Sequence, residues 1–236
     1  MTPDQIVAIA TAALPVELMQ FTLIYDGDLP AGGDKRVLYA SKVRNQLHGQ
    51  LADLWESHVI MRQLAREARI SEDNVFDLAL ERKGPLPDYR DAIPAVEPGT
   101  IDLCAPKMID GIGAFRPLVM SSLHLACSID ILFLRHEEPM HLFVQGGDLD
   151  NRIKCFFDGL KMPEAPKKGE IYQGEALTDE PLCCLLEDDK WISDFSVRTG
   201  RLLGHGAKMR HAVRITADVT VKVLRVMNQN LPLVGG

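Results

Sequence analysis

The feature that most constrains this chain is a long run of alternating residues, HAVRITADVTVKVLRV, at 211–226. Valine, isoleucine or alanine occupies every second position from 213 to 223, and a polar residue stands at each position between them. Because successive side chains of a strand point to opposite faces, the run predicts a strand with one apolar face and one polar face. Such a strand needs a sheet around it and a second layer that covers the apolar face.

Other segments have the patterns expected of the remaining strands and of the covering helices. Strand-like composition occurs at 21–26, 121–137, 183–186 and 193–203. Apolar residues recur at three- and four-residue spacing from Val43 to Trp55, and two further helices are predicted at about 59–69 and 151–160. The order of these elements predicts an α+β domain with a mixed, mostly antiparallel sheet and helices packed on it.

We expect the 236 residues to form a single domain. Residues 84–118 contain several prolines and glycines and show little periodicity. We interpret them as an irregular insertion and not as a linker, because strands resume beyond them. Residues 161–181, KMPEAPKKGEIYQGEALTDEP, are predicted to form a long loop for the same compositional reasons.

The charge balance limits the ways in which this chain could bind nucleic acid. Its formal net charge is −7 and its pI is about 5.5, which argues against a generally basic nucleic-acid binder. A local basic patch remains compatible with that balance. The most basic stretch surrounds the turn RLLGHGAKMRH, which either meets phosphates or is a solvated turn. Its candidate DNA-binding residues are Arg198, Arg201, Lys208 and Arg210.

The cysteines and the hydropathy of the chain indicate the cellular compartment in which we expect the protein. The five cysteines are scattered, odd in number and without a CxxC pair, which argues against a disulfide framework or a cysteine-type zinc site. We expect reduced thiols in a cytoplasmic protein. No apolar run approaches the roughly 20 residues that span a bilayer, so no membrane association is predicted. The segment RHEEPMH, 135–141, is either a metal cluster or a solvated strand end.

The stretch GGDLDNRIKCFFDGLKMP, 146–163, holds the chemistry-bearing residues. Asp148 and Asp150 are two positions apart, so their side chains would lie on the same side of an extended backbone. Asp150 suits the N-cap of the predicted helix, and Lys154 follows one turn later. Two carboxylates this close repel each other, so solvent, Lys154, helix N-terminal amides or a bound cation must offset the repulsion.

A second acidic group, Glu187-Asp188-Asp189, ends the apolar run CCLL. If its strand pairs near the first motif, its acids can converge on Asp148 and Asp150. Three carboxylates beside a lysine suit Mg²⁺ or Mn²⁺, which can activate water for phosphate hydrolysis. The alternative is that the first motif is a capped turn and the second a solvated strand end.

DLDNRIKCFFDGL resembles the signature of the RusA-type Holliday-junction resolvases, D-L-D-N-x-x-K-x-x-x-D-x-L. DDKWI at 188–192 is similar to that family's second motif, and FTLIYDGDLPAGG at 21–33 to its first strand and the loop after it. By position, the resemblance implies that Asp148, Asp150 and Asp189 bind magnesium and that Lys154 is catalytic. Further residues match the pattern as support or structure: Asn151, Asp158 and Asp188.

The resemblance also implies a function. It predicts a Mg²⁺-dependent endonuclease, with Mn²⁺ as a possible substitute, that cuts branched DNA during recombination and repair as a homodimer. The alternative is a resolvase-like domain that binds nucleic acid or a partner without strong cleavage.

Overall fold

The computed structural model describes residues 16–29, 35–71, 100–136, 148–177, 179–203 and 212–233. The helices are α1 Arg36–Ser57, α2 Val59–Glu67 and α3 Asp148–Leu160. The strands are β1 Val16–Asp28, β2 Arg69–Ser71, β3 Thr100–Asp102, β4 Lys107–Ile109, β5 Gly113–Val119, β6 Leu125–Arg135, β7 Leu182–Leu186, β8 Ile192–Arg201 and β9 Ala212–Val223. Short 3₁₀ helices lie at Ser121–Leu123, Asp189–Trp191 and Asn228–Leu233.

The main sheet has the strand order β1-β9-β6-β8. β9 is antiparallel to both β1 and β6, whereas β8 runs parallel to β6. The predicted α+β class with a mixed sheet is therefore confirmed. The alternating run forms the inner strand β9, and all six of its predicted apolar positions are buried: Val213, Ile215, Ala217, Val219, Val221 and Val223.

Helices α1 and α3 pack on the apolar face of this sheet, as predicted for the helix after Asp150. The ring of Phe156 lies 6.4 Å from that of Tyr25 on β1, and Phe157 makes an edge-on contact with Phe195 on β8 at 5.1 Å. Gly159 permits close approach of the two helices, because a Cβ there would lie 2.5 Å from the Cβ of Val43. The position of α3 on the sheet is thus fixed by aromatic contacts and a glycine.

A smaller sheet, β4-β5-β7, flanks the main one. β5 is antiparallel to β4 and parallel to β7, so this sheet joins the described part of the predicted insertion to the strand that carries the second acidic group. Residues 100–118 hold three strands and so differ from the irregular segment that we expected. Two of these strands have only three residues, too few for a periodic pattern. Gly111, between β4 and β5, and Gly113, the first residue of β5, have φ values of +76° and +139°.

Residues 161–181 form no helix or strand in their described part, apart from one bridge between Lys161 and Leu186. Among the described helices, none combines the length and the apolar composition that crossing a bilayer requires. The basic-turn residues Lys208 and Arg210, the segment 137–141 and residues 84–99 of the insertion lie outside the described residues.

Candidate active site

The first acidic motif opens helix α3. The helix begins at Asp148, so Asp150 is its third residue, and the predicted N-cap role and extended backbone are wrong. Acidic residues are favoured in the first turn because the unpaired amides and the helix dipole attract negative charge, and the helix therefore includes both aspartates. Helix positions i and i+2 lie about 200° apart around the axis, so the backbone does not place the pair on one face. The side chain of Asp148 lies outside the described part.

Asp150 and Lys154 form the exposed pair of this motif. Lys154 Nζ lies 2.6 Å from Asp150 Oδ2, and the two side chains are 53% and 63% exposed respectively. Asn151, between them in sequence, is exposed as well. An exposed helical pair of this kind contributes only about 0.3–0.5 kcal/mol to stability. Its accessibility makes it available to a ligand that arrives from solvent.

The second acidic group divides into three separate roles, beginning with Glu187. Its Oε1 lies 2.7 Å from Lys107 Nζ, and its Oε2 accepts a hydrogen bond of 2.7 Å from the backbone N–H of Ser121. Burial alone would raise the pKa of Glu187, but Lys107 and the Ser121 amide outweigh it and lower the pKa below 4.5. Glu187 thus holds β7 to the segments around it.

Asp188 caps the 3₁₀ helix Asp189–Trp191. Its Oδ1 accepts from the backbone N–H of Lys190 at 3.0 Å, and its Oδ2 accepts from Lys190 Nζ at 3.2 Å. The backbone hydrogen bond is the largest cause of a lowered pKa for Asp188. Because Glu187 and Asp188 are committed to these contacts, Asp189 is the member of the group that reaches toward α3.

Lys161 connects Asp189 to helix α3. Its Nζ lies 3.1 Å from Asp189 Oδ2 and 3.6 Å from Asp158 Oδ1, and Asp158 also accepts from Arg36 Nε at 2.5 Å. Burial works to lower the pKa of Lys161, but the hydrogen bond and charge of Asp189, with Asp158 and Glu164, raise it. Lys161 is therefore a stable cation that ties the second motif to the end of the first motif's helix.

The same contacts place Asp189 nearer to one end of α3 than to the other. Asp158 follows Asp150 by eight residues, which is about 12 Å along the helix axis. Among the described residues, no group of three or more His, Cys, Asp or Glu side chains is close enough to hold a metal ion. Since the side chain of Asp148 lies outside that set, the predicted trio of Asp148, Asp150 and Asp189 stays a prediction.

Sequence reasoning missed two basic residues beside the site, Lys161 and Arg44. Arg44 is buried on α1 and donates from Nη2 to the Asp158 carbonyl at 2.6 Å and from Nε to the Lys161 carbonyl at 2.8 Å. It thereby satisfies carbonyl groups at the C-terminal end of α3. The available signal was its helical spacing with the buried residues Ala40 and Leu47.

A cavity of about 750 Å³ lies beside these groups. Its lining includes Arg44, Asp158 and Lys161 together with residues 163–167 and 169–173 of the long loop. The cavity presents charges of both signs next to the contact between Lys161 and Asp189. The loop thus shapes the surroundings of the second motif.

The two described residues of the predicted DNA-binding stretch, Arg198 and Arg201, are both exposed on β8. They are three positions apart and so lie on opposite faces of that strand. Together they do not make one patch.

Comparison of the chain with protein-family models, with curated proteins and with solved structures found no significant match.

Proposed function

We propose that this chain is a Mg²⁺-dependent endonuclease of the RusA resolvase type that hydrolyses phosphodiester bonds in branched DNA. The observation that carries the proposal is the accessible Asp150–Lys154 pair at the start of α3, within DLDNRIK. A carboxylate and an ammonium at a helix N-terminus are the groups that a metal ion and a phosphate respectively would meet there.

The available donor atoms fit magnesium. Asp150 and Asp189 are exposed carboxylates, and hard oxygen donors are the ligands that Mg²⁺ and Mn²⁺ prefer. All five cysteines are buried and offer no competing thiolate at the surface. To hold one ion together with Asp148 and Asp150, Asp189 would have to exchange its contact with Lys161 for a position near the start of α3. The ion, when bound, would activate water and neutralise phosphate charge.

The remaining residues would position the reacting groups. Lys154 would donate from Nζ to a non-bridging phosphate oxygen, where charge increases in the transition state. Lys161 would hold Asp189 in place through its contact at 3.1 Å. Asp188 and Glu187 would fix the backbone around Asp189 through the amide hydrogen bonds that they accept.

We also propose that the chain acts as a cytoplasmic homodimer in recombination and repair of DNA. Two cuts placed symmetrically across a four-way junction need two sites related by a two-fold axis. This step rests on the resemblance to the resolvase family.

One observation favours the alternative of a nucleic-acid or partner-binding domain without strong cleavage. Each of the two described candidate ligands has a lysine within 3.1 Å, Lys154 at Asp150 and Lys161 at Asp189. A carboxylate that is already neutralised has less to gain from a cation.

Cleavage of labelled DNA tests these possibilities. Four-way junctions, duplex and single strands are incubated with Mg²⁺, with Mn²⁺ or with a chelator. We expect metal-dependent cuts in the junction that Asp150→Asn and Asp189→Asn abolish, while the exposed helical control Asp53→Asn leaves them unchanged. Junction binding without cleavage by the wild type would support the alternative, and neither binding nor cleavage would overturn both.

A further inference from the structure

Strand β8 is an open edge of the main sheet. It pairs with β6 on one side, and in the described part of the chain no strand pairs with its other side. Natural edge strands are usually short or carry proline or lysine that discourages further pairing. β8 has ten residues, ISDFSVRTGR, without proline or lysine. Its one register irregularity against β6 lies at Ser193, and residues 194–201 pair with β6 without interruption. Its Phe195 is 54% exposed.

The sequence of β8 is complementary to itself about Ser196. Asp194 and Arg198 lie two positions to either side of Ser196, and their register partners on β6, Ser128 and Leu132, place them on the polar face of the sheet. Phe195 and Val197 flank Ser196 directly and are paired with the buried Ile129 and Ile131, which places them on the helix-covered face.

We propose that β8 binds β8 of a second copy of this chain, antiparallel and with the two-fold axis at Ser196. This register places Asp194 opposite Arg198 of the partner subunit, and Arg198 opposite Asp194 of the partner subunit. On the other face Phe195 packs on Val197 of the partner subunit, and the reciprocal contact forms as well. The two four-stranded sheets join into one, and a two-fold axis perpendicular to them keeps the helices of both subunits on one side.

Charge complementarity indicates that the strand that pairs with the open edge of β8 is β8 of a second copy of this chain. Asp194 and Arg198 are four residues apart on one strand, about 13 Å, so they cannot reach each other within a chain. Arg198 makes no ion pair with any described residue, whereas Asp194 contacts Lys222 through Oδ2 at 3.2 Å. A carboxylate accepts several donors, so Asp194 can also receive the guanidinium of a partner.

Charge reversal tests the register. Asp194→Arg and Arg198→Asp each place like charges opposite each other twice per dimer, so each should raise the dimer dissociation constant about tenfold or more. The double variant restores opposite charges and should return the constant to near the wild-type value. Asp26→Arg, on the outer strand β1 of the same sheet, should leave it unchanged. Light scattering and analytical ultracentrifugation at micromolar concentration measure the constant.

A cysteine at the axis gives a second readout. Ser196→Cys should form a reducible covalent dimer, because opposed residues at a strand pair have Cβ atoms about 4.5–5.5 Å apart. Thr199→Cys would face Ser193 of the partner subunit and should crosslink far less. A wild-type monomer, a dimer without coupling between positions 194 and 198, or equal crosslinking by both cysteine variants would overturn the proposal.

This interface rests on the homodimer of the proposed function, but its test is separate from cleavage. If the wild type is a monomer that cuts junctions, the proposed interface is refuted and the proposed endonuclease activity is not. If the wild type is a dimer paired through β8 that cuts no DNA, the proposed interface is supported and the proposed endonuclease activity is refuted.

Discussion

Lys154 is the residue whose substitution best separates catalysis from folding. Lys154→Ala should lower the single-turnover rate of junction cleavage on the order of 10²–10³-fold, since it removes one donor to the developing phosphate charge. The free energy of unfolding should change by no more than about 0.5 kcal/mol, because the side chain is 53% exposed. Lys42→Ala is the control: Lys42 is also helical and ion-paired, to Glu175 at 3.9 Å. Cleavage by Lys154→Ala at the wild-type rate would refute the proposed role.

Glu187 is expected to make stability depend on pH. Its pKa is lower in the folded chain than its ordinary value of 4.5, so its contribution is present above that pH and is lost as the pH falls through the folded pKa. Glu187→Gln removes the charge-assisted bond to Lys107 and should reduce the free energy of unfolding at pH 7 by about 1.5–3 kcal/mol.

Urea unfolding of wild type and Glu187→Gln from pH 7 to pH 3 measures this effect. The difference between them should shrink toward pH 3. Glu164→Gln, at a side chain that is 92% exposed, should match the wild type throughout. Equal stability of Glu187→Gln and wild type at pH 7 would show that the Lys107 contact contributes nothing.

At the scale of elements, two helical glycines should respond to alanine with opposite signs. Gly159→Ala on α3 would place a Cβ 2.5 Å from Val43 and 3.0 Å from the Ala40 carbonyl, and such overpacking costs about 1–3 kcal/mol. Gly49→Ala on α1 meets nothing within 4 Å and should gain about 0.5–1 kcal/mol from helix propensity. Urea unfolding of both variants tests the packing, and stabilisation by Gly159→Ala would contradict the close approach of α1 and α3.

The elements that sequence predicted well are those with long periodic patterns. β9 alternates over eleven positions, and α1 repeats its apolar spacing from Val43 to Trp55, so each pattern defines one buried face. The strands within 100–118 were not predicted, because β3 and β4 have three residues each and form by pairing with β2 and β5 respectively. Their existence depends on pairing across the sheet, which a local pattern does not encode.

The sequence predicted which types of residue form the candidate site, but not most of the contacts that these residues make. The Asp150–Lys154 pair follows from helical spacing of four, and the structure forms it. The roles of Glu187 and Asp189 depend on Lys107, Ser121 and Lys161, which lie far from these acids in sequence. Helical spacing indicates that Arg44 is buried, but its partners are backbone carbonyls, which no residue type in the sequence identifies.

At the scale of the whole molecule, the proposed two-fold arrangement and the proposed nuclease chemistry together predict how mixed subunits behave. Wild-type chains and Asp150→Asn chains are mixed and allowed to exchange, with the inactive chain in excess. Most wild-type chains then sit in dimers with one competent site, and a dimer with one competent site cuts one of the two symmetric strands. The junction should therefore accumulate nicked product at the expense of resolved duplexes.

Gel electrophoresis under native and denaturing conditions separates these products. The charge-reversed variant Arg198→Asp provides the control at a protein concentration below its dimer dissociation constant, because an inactive chain cannot affect an active chain with which it is not paired. With it the ratio of nicked to resolved product should not depend on the inactive chain. If excess Asp150→Asn left that ratio unchanged with wild-type subunits too, the two cuts would not come from paired sites, and a dimer would not be the cleaving unit.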